Sequence, residues 1–260
     1  MLDTLTEIAR EAGNRIMKYF QSPALRPETK ADGSPVTPAD LASDAWICGA
    51  LAENFPWPII SEESVMPPFA SRRHWPEFFL VDPLDGTKDF LAGGREFTVN
   101  IALMRNRTPV LGVVYAPATE EMFSAAQDQG AQRLHQGIRE ALPLECPSIW
   151  TLARSHFHDH PTFDNFARQN RITRHLQMSS AIRLPRLAQG KINLCLCSNR
   201  SSEWDIAAGH VLVKETGGRL IELGSGKEPL YNKPEIKNSF LLAHSKDIDL
   251  ARLQIGLKNP

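Results

Sequence analysis

Leu80-Val81-Asp82-Pro83-Leu84-Asp85-Gly86-Thr87-Lys88-Asp89-Phe90 closes an apolar run, Phe78–Val81, on a carboxylate, turns at Pro83 and delivers a second carboxylate three residues after the first. The run itself predicts a strand. Hard divalent cations take oxygen ligands, so Asp82, the Leu84 carbonyl and Asp85 can reach one ion from a single turn. Gly86 and Thr87 follow with backbone N–H groups and a hydroxyl, and a helix starting there would turn its amides toward an anion. A metal seat and a phosphate seat are thus adjacent in the chain. The same residues would also serve as ordinary caps of a strand-to-helix turn. Two further acidic clusters weigh against that simpler reading. Ile59-Ile60-Ser61-Glu62-Glu63-Ser64 is another strand ending in carboxylates, and Trp204-Asp205-Ile206-Ala207-Ala208-Gly209 places an acid at the start of a helix of small residues. Such residues let other backbone approach closely.

Upstream, Leu5, Ile8, Ala12, Ile16 and Tyr19 or Phe20 recur at helical spacing from Asp3 to Phe20. Pro23, Pro27, Gly33 and Pro35 mark residues 21–36 as a loop or short hairpin. Thr37-Pro38 then supplies an N-cap and a first-turn proline for a second helix through Leu41, Cys48, Leu51 and Phe55. Strand patterns follow at 58–61, 78–81, 97–104, 109–115 and 121–125, which predicts an antiparallel meander behind two leading helices. From about residue 150 the elements alternate. Strands are expected at 150–153, 174–178, 192–197, 219–223 and 240–243. Helices are expected at 162–169, at 180–189 despite Pro185, at 202–216 and after Ser245. The expected organisation is an α+β domain over 1–150, holding most acidic clusters, and an α/β domain over 151–260.

The 260 residues carry 29 Lys+Arg against 30 Asp+Glu, a net charge of −1, which excludes a nucleic-acid coat protein or a polybasic membrane binder. That neutrality is a sum of opposites. Residues 1–150 carry 13 basic and 20 acidic side chains, a net of −7, whereas residues 151–260 carry 16 and 10, a net of +6. Hydrophobic content of 42% and charged content of 23% fit a soluble globular chain. No stretch approaches the ~20 apolar residues of a membrane span, and Met1-Leu2-Asp3-Thr4-Leu5-Thr6-Glu7 lacks the basic start and apolar run of a signal peptide. The expected location is the cytoplasm, with peripheral association at the inner membrane left open. Cys48, Cys146, Cys195 and Cys197 are too sparse for a disulfide framework.

Taken together, Glu62-Glu63, Asp82-Pro83-Leu84-Asp85-Gly86-Thr87 and Trp204-Asp205-Ile206-Ala207-Ala208-Gly209 resemble the signature of the inositol monophosphatase superfamily of magnesium-dependent, lithium-sensitive phosphatases. Order and spacing match over nearly the whole chain. Within that superfamily the chain looks most like bacterial 3′(2′),5′-bisphosphate nucleotidases of the sulfate-assimilation type. The residues carrying the narrower match are 30–40, Lys88-Asp89-Phe90, 96–103, 112–117 and Arg154-Ser155-His156. The resemblance implies a layered α-β-α-β-α sandwich and two or three Mg²⁺ ions. By it, Asp82 would bridge two metals, Glu62 and the Leu84 carbonyl would complete the first, and Asp85 and Asp205 would hold the second. A third, weaker metal would also lean on Glu62. Thr87, backed by Asp40, would orient the attacking water next to Glu62, and Gly86, Thr87 and Lys88 would cradle the phosphoryl group. Paired magnesium chemistry suits hydrolysis by direct water attack.

The substrate expected from the resemblance is 3′-phosphoadenosine 5′-phosphate, giving AMP and phosphate; inositol phosphate, histidinol phosphate or a sugar bisphosphate are the rivals within the superfamily. Ser155 and His156 match a substrate-contacting element, and Arg154, Arg183 and Lys191 would receive the remaining negative charge. Arg183 stands where the nucleotidases commonly have lysine. Upstream of Trp204 the departure is larger: Cys195-Leu196-Cys197-Ser198-Asn199-Arg200-Ser201 replaces a Tyr-Pro-Arg-x-Gly-Pro-Thr run, removing an aromatic and shifting an arginine by three positions. Blander readings cover the remaining features. His156, His158 and His160 alternate like a zinc or nickel site but precede Pro161 and read as a solvated loop. Cys195 and Cys197 share a strand face and read as core. Trp204 reads as a packing anchor, and Glu63 has no separate role. Arg168, Arg171 and Arg174 lack interleaved aromatics, so no nucleic-acid polymer is expected as a partner, and the chain is expected to be a monomer or homodimer. A nucleotide sensor without turnover would require loss of a water-activating group, yet Glu62, Asp40 and Thr87 are all present.

Overall fold

The computed structural model describes residues 1–255 apart from Ala24, Glu145, Cys146, His158 and Asp159. The chain opens with α1 (Leu2–Met17), the hairpin strands β1 (Glu28–Thr29) and β2 (Pro35–Val36), α2 (Pro38–Asn54), β3 (Ile59–Ser61), α3 (Phe69–Arg72), β4 (Glu77–Asp85) and α4 (Thr87–Leu91). The meander β5 (Thr98–Arg105), β6 (Thr108–Ala116), β7 (Glu121–Ala126), β8 (Ala131–His135) and β9 (Ile138–Ala141) comes next. The second half runs β10 (Thr151–Ser155), α5 (Pro161–Gln169), β11 (Arg174–Met178), α6 (Arg183–Gln189), β12 (Leu194–Cys197), α7 (Glu203–Glu215), β13 (Arg219–Glu222) and β14 (Leu241–His244). A 3-10 turn at Leu250–Arg252 follows.

Two sheets result. The first has seven strands in the order β3-β4-β5-β6-β7-β8-β9, with β3 parallel to β4 and every later pair antiparallel. In the second, ordered β11-β10-β12-β14-β13, β10 runs parallel to β11 and β12, and β14 is antiparallel to β12 and β13. α1 and α2 cover the outer face of the seven-stranded sheet, α6 and α7 lie between the sheets, and α5 covers the far face of the second. These are the five layers of an α-β-α-β-α sandwich.

Period-two alternation sorts side chains among three cores. On β4, Phe79 and Val81 join the core under α1 and α2, while Phe78 and Leu80 point to the central layer of α6 and α7. On β12, Leu194 and Leu196 meet Phe163 and Phe166 of α5, and Cys195 and Cys197 face the central layer. The thiols are thus core residues, as their spacing implied; a thiol–thiol hydrogen bond and burial hold Cys197 well above the ordinary thiol range. The small residues of α7 let it lie directly on β6, where a Cβ at Gly112 would collide with the Ala208 carbonyl. Trp204 is half-buried against this central core.

Several expectations need correction. The hairpin β8–β9 has no clear signal in the chain because its residues are polar and mostly half-exposed. Its two-residue turn takes positive φ at Gln136 (51°) and Gly137 (77°), the pairing that matches strand twist in tight hairpins. The helix expected from 180 starts only at Arg183, because Ser179 is held by carboxylates of the first half, and Pro185 then falls in the first turn, where no intrahelical N–H is needed. The expected helix after Ser245 is only the 3-10 turn capped by Asp249. Cys146 and His158 lie outside the described residues.

His210 supplies a pH probe of the central layer. It is 1% exposed on α7, its Nδ1 lies 2.9 Å from the Tyr231 hydroxyl, and burial, with Lys214 adding, drives its pKa down to about 3. The folded protein therefore excludes a proton that the unfolded chain binds below about pH 6.5. Stability from this group is complete above that pH and is lost as pH falls toward 3. In denaturant titrations between pH 7 and 3, His210→Phe should lose stability less steeply than the unaltered protein; parallel curves would contradict this.

Candidate active site

β4 delivers Asp82 at the point where its pairing with β5 breaks: Asp82 pairs with Asn100 and Asp85 with Thr98, so the strand bulges between them. The bulge is what frees the turn. Pro83 offers its carbonyl to the Ser43 hydroxyl of α2 at 2.8 Å, and Asp82 Oδ1 accepts from the Leu84 amide at 3.2 Å. Glu62 arrives from the end of β3, its amide donating to the Val81 carbonyl at 3.2 Å. Asp44 of α2 secures that strand end by accepting from the Ser61 hydroxyl and, at 3.1 Å, from the Ser64 hydroxyl.

Asp205 comes from the first turn of α7, where it completes a capping box by accepting from the Ser202 amide at 2.9 Å. The same side chain that caps α7 is thus turned toward the other carboxylates. Glu62, Asp82 and Asp205, spread over some 140 residues of chain, bring one carboxylate oxygen each to within 4.8 Å of one another. Asp85 lies beside them, accepting from Asn100 Nδ2 at 3.3 Å.

The electrostatics of this cluster are those of an unbalanced anion. Burial, then Glu62, Asp85 and Asp205, push the Asp82 carboxyl well above the carboxylate range. Asp85 rises for the same reasons, chiefly burial and Asp205, despite the nearby Arg183 guanidinium. Burial and Glu62 push Asp205 up to about 7, against the Ser202 amide and the Lys237 ammonium. An all-oxygen, mutually repelling donor set, with Asp82 buried and Glu62 and Asp205 half-buried, fits a hard divalent cation such as Mg²⁺. Asp82, Glu62 and Asp205 would hold it, with Asp85 and the Leu84 carbonyl alongside.

Thr87 and Asp40 form the second part of the site. Thr87 Oγ1 lies 3.2 Å from Asp40 Oδ1 and 3.2 Å from the Leu84 carbonyl. Asp40 is 1% exposed and its other oxygen closes the α2 capping box, accepting from the Thr37 amide at 2.8 Å and the Thr37 hydroxyl at 2.6 Å. Burial raises its pKa, while these hydrogen bonds oppose the rise. Gly86, with φ of 88°, turns the chain between the ligands and Thr87 in a conformation that favours glycine. α4 has only five residues, so the seat consists of local amides and not the dipole of a long helix. Lys88 is exposed in its first turn.

The second half closes over this seat. Ser179 donates its amide to Glu96 Oε2 and its hydroxyl to Asp89 Oδ2, both at 2.8 Å. Asp89, raised by burial, is held down by Ser179, His156 and Arg183, which places His156 at the same edge. Ser155 is buried at the end of β10, paired in register with Met178.

Other assignments from the chain need revision. Arg154, expected to receive the substrate's remaining charge, is paired with Asp164 at 2.9 Å and lines an outer cleft with Arg168 and Arg171. Arg183 is near Asp85, but its Nη1 donates to the Leu196 carbonyl at 2.7 Å, bracing the pocket wall. Lys191 is exposed beyond the C-terminal end of α6, the end opposite Arg183. His160, read from the chain as part of a solvated loop, is the N-cap of α5, its ring nitrogen accepting from the Thr162 amide at 3.2 Å.

One group went unassigned from the chain alone. Lys30, in the β1–β2 hairpin, reaches Glu62 Oε1 at 2.8 Å and Glu63 Oε1 at 2.5 Å. Burial pulls its pKa down, but the two carboxylates outweigh that and hold it above the lysine range. Burial pushes Glu63 up to about 7 despite Lys30. The hairpin is thus charge-locked to the cluster across 32 residues of chain.

The sequence profile of the inositol monophosphatase family matches residues 1–250. A 3′(2′),5′-bisphosphate nucleotidase CysQ of Salmonella typhimurium is 36% identical over 85% of this chain and 89% of its own length. The protein of the same description from Escherichia coli K12 is 35% identical over the same shares. The crystal structure of CysQ from Bacteroides thetaiotaomicron, a bacterial member of the inositol monophosphatase family, superposes with a TM-score of 0.81 at 30% identity, covering 95% of this chain and 98% of that one.

Because cation binding requires ionised carboxylates, Mg²⁺ should displace a proton from Asp205 near pH 7 and bind more tightly as pH rises through that value. Calorimetric titrations in buffers of different ionisation enthalpy should show net proton release. Asp82→Asn should weaken the binding, and binding without proton release would contradict the arrangement.

Proposed function

The chain belongs to the inositol monophosphatase family, and from that premise we propose that it is a Mg²⁺-dependent phosphomonoesterase hydrolysing 3′-phosphoadenosine 5′-phosphate to AMP and phosphate. The observation that carries the proposal is the convergence of Glu62, Asp82 and Asp205 beside the Thr87–Asp40 pair. The substrate choice is supported by the bisphosphate nucleotidases that the chain resembles at 35–36% identity.

Two or three divalent ions bound by Glu62, Asp82, the Leu84 carbonyl, Asp85 and Asp205 would supply positive charge to the phosphoryl oxygens and acidify a water. The protein's own groups do the rest. Thr87 Oγ1 sends its hydrogen toward Asp40 Oδ1, which leaves its lone pairs to accept from a water positioned next to Glu62. Buried Asp40 cannot turn, since Thr37 holds its second oxygen. The amides of Gly86 and Thr87, with Lys88, receive the phosphoryl group, and any side chain at position 86 would press toward Ser179 Oγ. Asp85 and Asp205 face the leaving group, with Ser155 and His156 along the edge that holds the remainder of the substrate. Direct water attack requires no covalent phosphoenzyme.

No helix among the described residues is long and apolar enough to cross a membrane. A cytoplasmic location is proposed from the nucleotide substrate and from the free thiols of Cys48, Cys195 and Cys197; membrane association is not part of the proposal.

Phosphate release by the purified protein should be compared for the nucleoside bisphosphate, inositol phosphate, histidinol phosphate and fructose bisphosphate. The bisphosphate should be turned over fastest, only with Mg²⁺, and with inhibition by millimolar lithium. Glu62→Gln should reduce turnover about 10²–10⁴-fold, the range for a group that handles a proton in the transition state. Binding of the bisphosphate with no Mg²⁺-dependent phosphate release would refute the enzyme reading.

A further inference from the structure

Asp85 and Asp205 also line a cavity of about 120 Å³, whose lining includes Ser180, Arg183, Ser198, Arg200 and Ser201. None of the lining residues carries an aromatic ring. The wall offers hydroxyls and guanidinium groups to an anionic ligand.

The two arginines differ in what they are free to do. Arg183 is 5% exposed, and its Nη1 and Nε donate to the Leu196 and Ser180 carbonyls at 2.7 and 3.4 Å. It braces the wall. Arg200 is exposed at the cavity rim, and among the described residues its guanidinium has no hydrogen-bond or ion-pair partner.

Its backbone, by contrast, is fixed. The Arg200 amide donates to Ser198 Oγ at 3.4 Å, and its carbonyl accepts from Lys237 Nζ at 3.3 Å. Ser201 Oγ donates to the Ser198 carbonyl at 2.9 Å, and Asn238 clasps the same loop from outside through the Ser201 carbonyl at 2.9 Å and the Ser202 carbonyl at 2.7 Å. A held loop presenting an unengaged guanidinium spends little ordering entropy on binding, and a guanidinium matches a phosphate with two parallel hydrogen bonds.

We propose that Arg200 is the specificity-determining contact for the second phosphate of the substrate, and that this pocket selects on that charge and not on the identity of the base. The proposal rests on the bisphosphate-nucleotidase reading above. The ligand class is a sugar phosphate ester carrying a second phosphate beyond the scissile one, with the Ser198 hydroxyl as a neutral donor beside the guanidinium.

The test is a set of kcat and KM values with Mg²⁺ for adenosine 3′,5′-bisphosphate, adenosine 3′-monophosphate and the 3′,5′-bisphosphates of guanosine and cytidine. The unaltered protein, Arg200→Ala, Arg200→Gln and Arg200→Lys are compared, with melting temperatures confirming that each variant is folded. The unaltered protein should prefer the bisphosphate and accept the three bases within a few-fold. Arg200→Ala and Arg200→Gln should raise KM for the bisphosphate at least about tenfold more than for the monophosphate, with smaller changes in kcat, and Arg200→Lys should recover part of the loss. Equal KM increases on both substrates would overturn the role of Arg200. A strong preference for adenine would overturn the claim about the base. Failure of the unaltered protein to hydrolyse any bisphosphate, while it hydrolyses another phosphate ester, would overturn the proposed function itself and the Arg200 assignment with it.

Discussion

Carboxylates repel one another, and here Glu62, Asp85 and Asp205 are gathered around the buried Asp82. Such a cluster is costly in a folded chain unless a cation offsets it. The surrounding architecture makes sense as what is needed to build it. Two strand ends, a bulge and a helix start all terminate there, each with its own backbone hydrogen bonds fixed before the carboxylates are counted. Asp205 must come from the second sheet's half of the chain, so the site exists only when α7 is packed against the first sheet. The glycine at 112 and the alanines of α7 permit that packing.

Nearby side chains serve two purposes at once. Asp40 caps α2 and anchors Thr87, and Asp205 caps α7 and faces the cluster. Ordinary helix capping thus fixes the orientation of the groups proposed to handle water and metal. The hairpin lysine, Lys30, holds positive charge against Glu62 and Glu63, while Ser179 ties the second half to Asp89 and Glu96 beside the phosphate seat.

The parts legible in the chain were those dictated by local patterns. The stripe Leu5, Ile8, Ala12, Ile16 marks α1, Thr37-Pro38 marks the start of α2, and Asp82 and Asp85 announce the turn because an apolar strand rarely ends so. Illegible parts depended on partners distant in sequence. Lys30 looked like a loop residue because its two carboxylates lie more than 30 positions away. Arg154 looked like a phosphate ligand because nothing local reveals its pairing with Asp164. Ser179 delays α6 through bonds to residues 89 and 96, which no helix propensity encodes. The β8–β9 hairpin escaped for a different reason: a polar edge hairpin carries little hydrophobic alternation.

The charge asymmetry between halves, −7 against +6, resolves into a few groups that matter and many that face solvent. The acidic half holds Glu62, Asp82 and Asp85, and the basic half brings Arg183 and Arg200 to a cavity that Asp85 also lines. Arg154, Arg168 and Arg171 face an outer cleft instead. The central claim is that the halves share one catalytic centre, and Asp205 is the residue that tests it most directly. Mg²⁺-dependent phosphate release from the nucleoside bisphosphate should fall at least about a hundredfold in Asp205→Asn, a loss of roughly 3 kcal/mol of transition-state stabilisation, while the melting temperature without Mg²⁺ is maintained. Near-unaltered turnover by that variant would show that the second half does not contribute to the centre and would contradict the account.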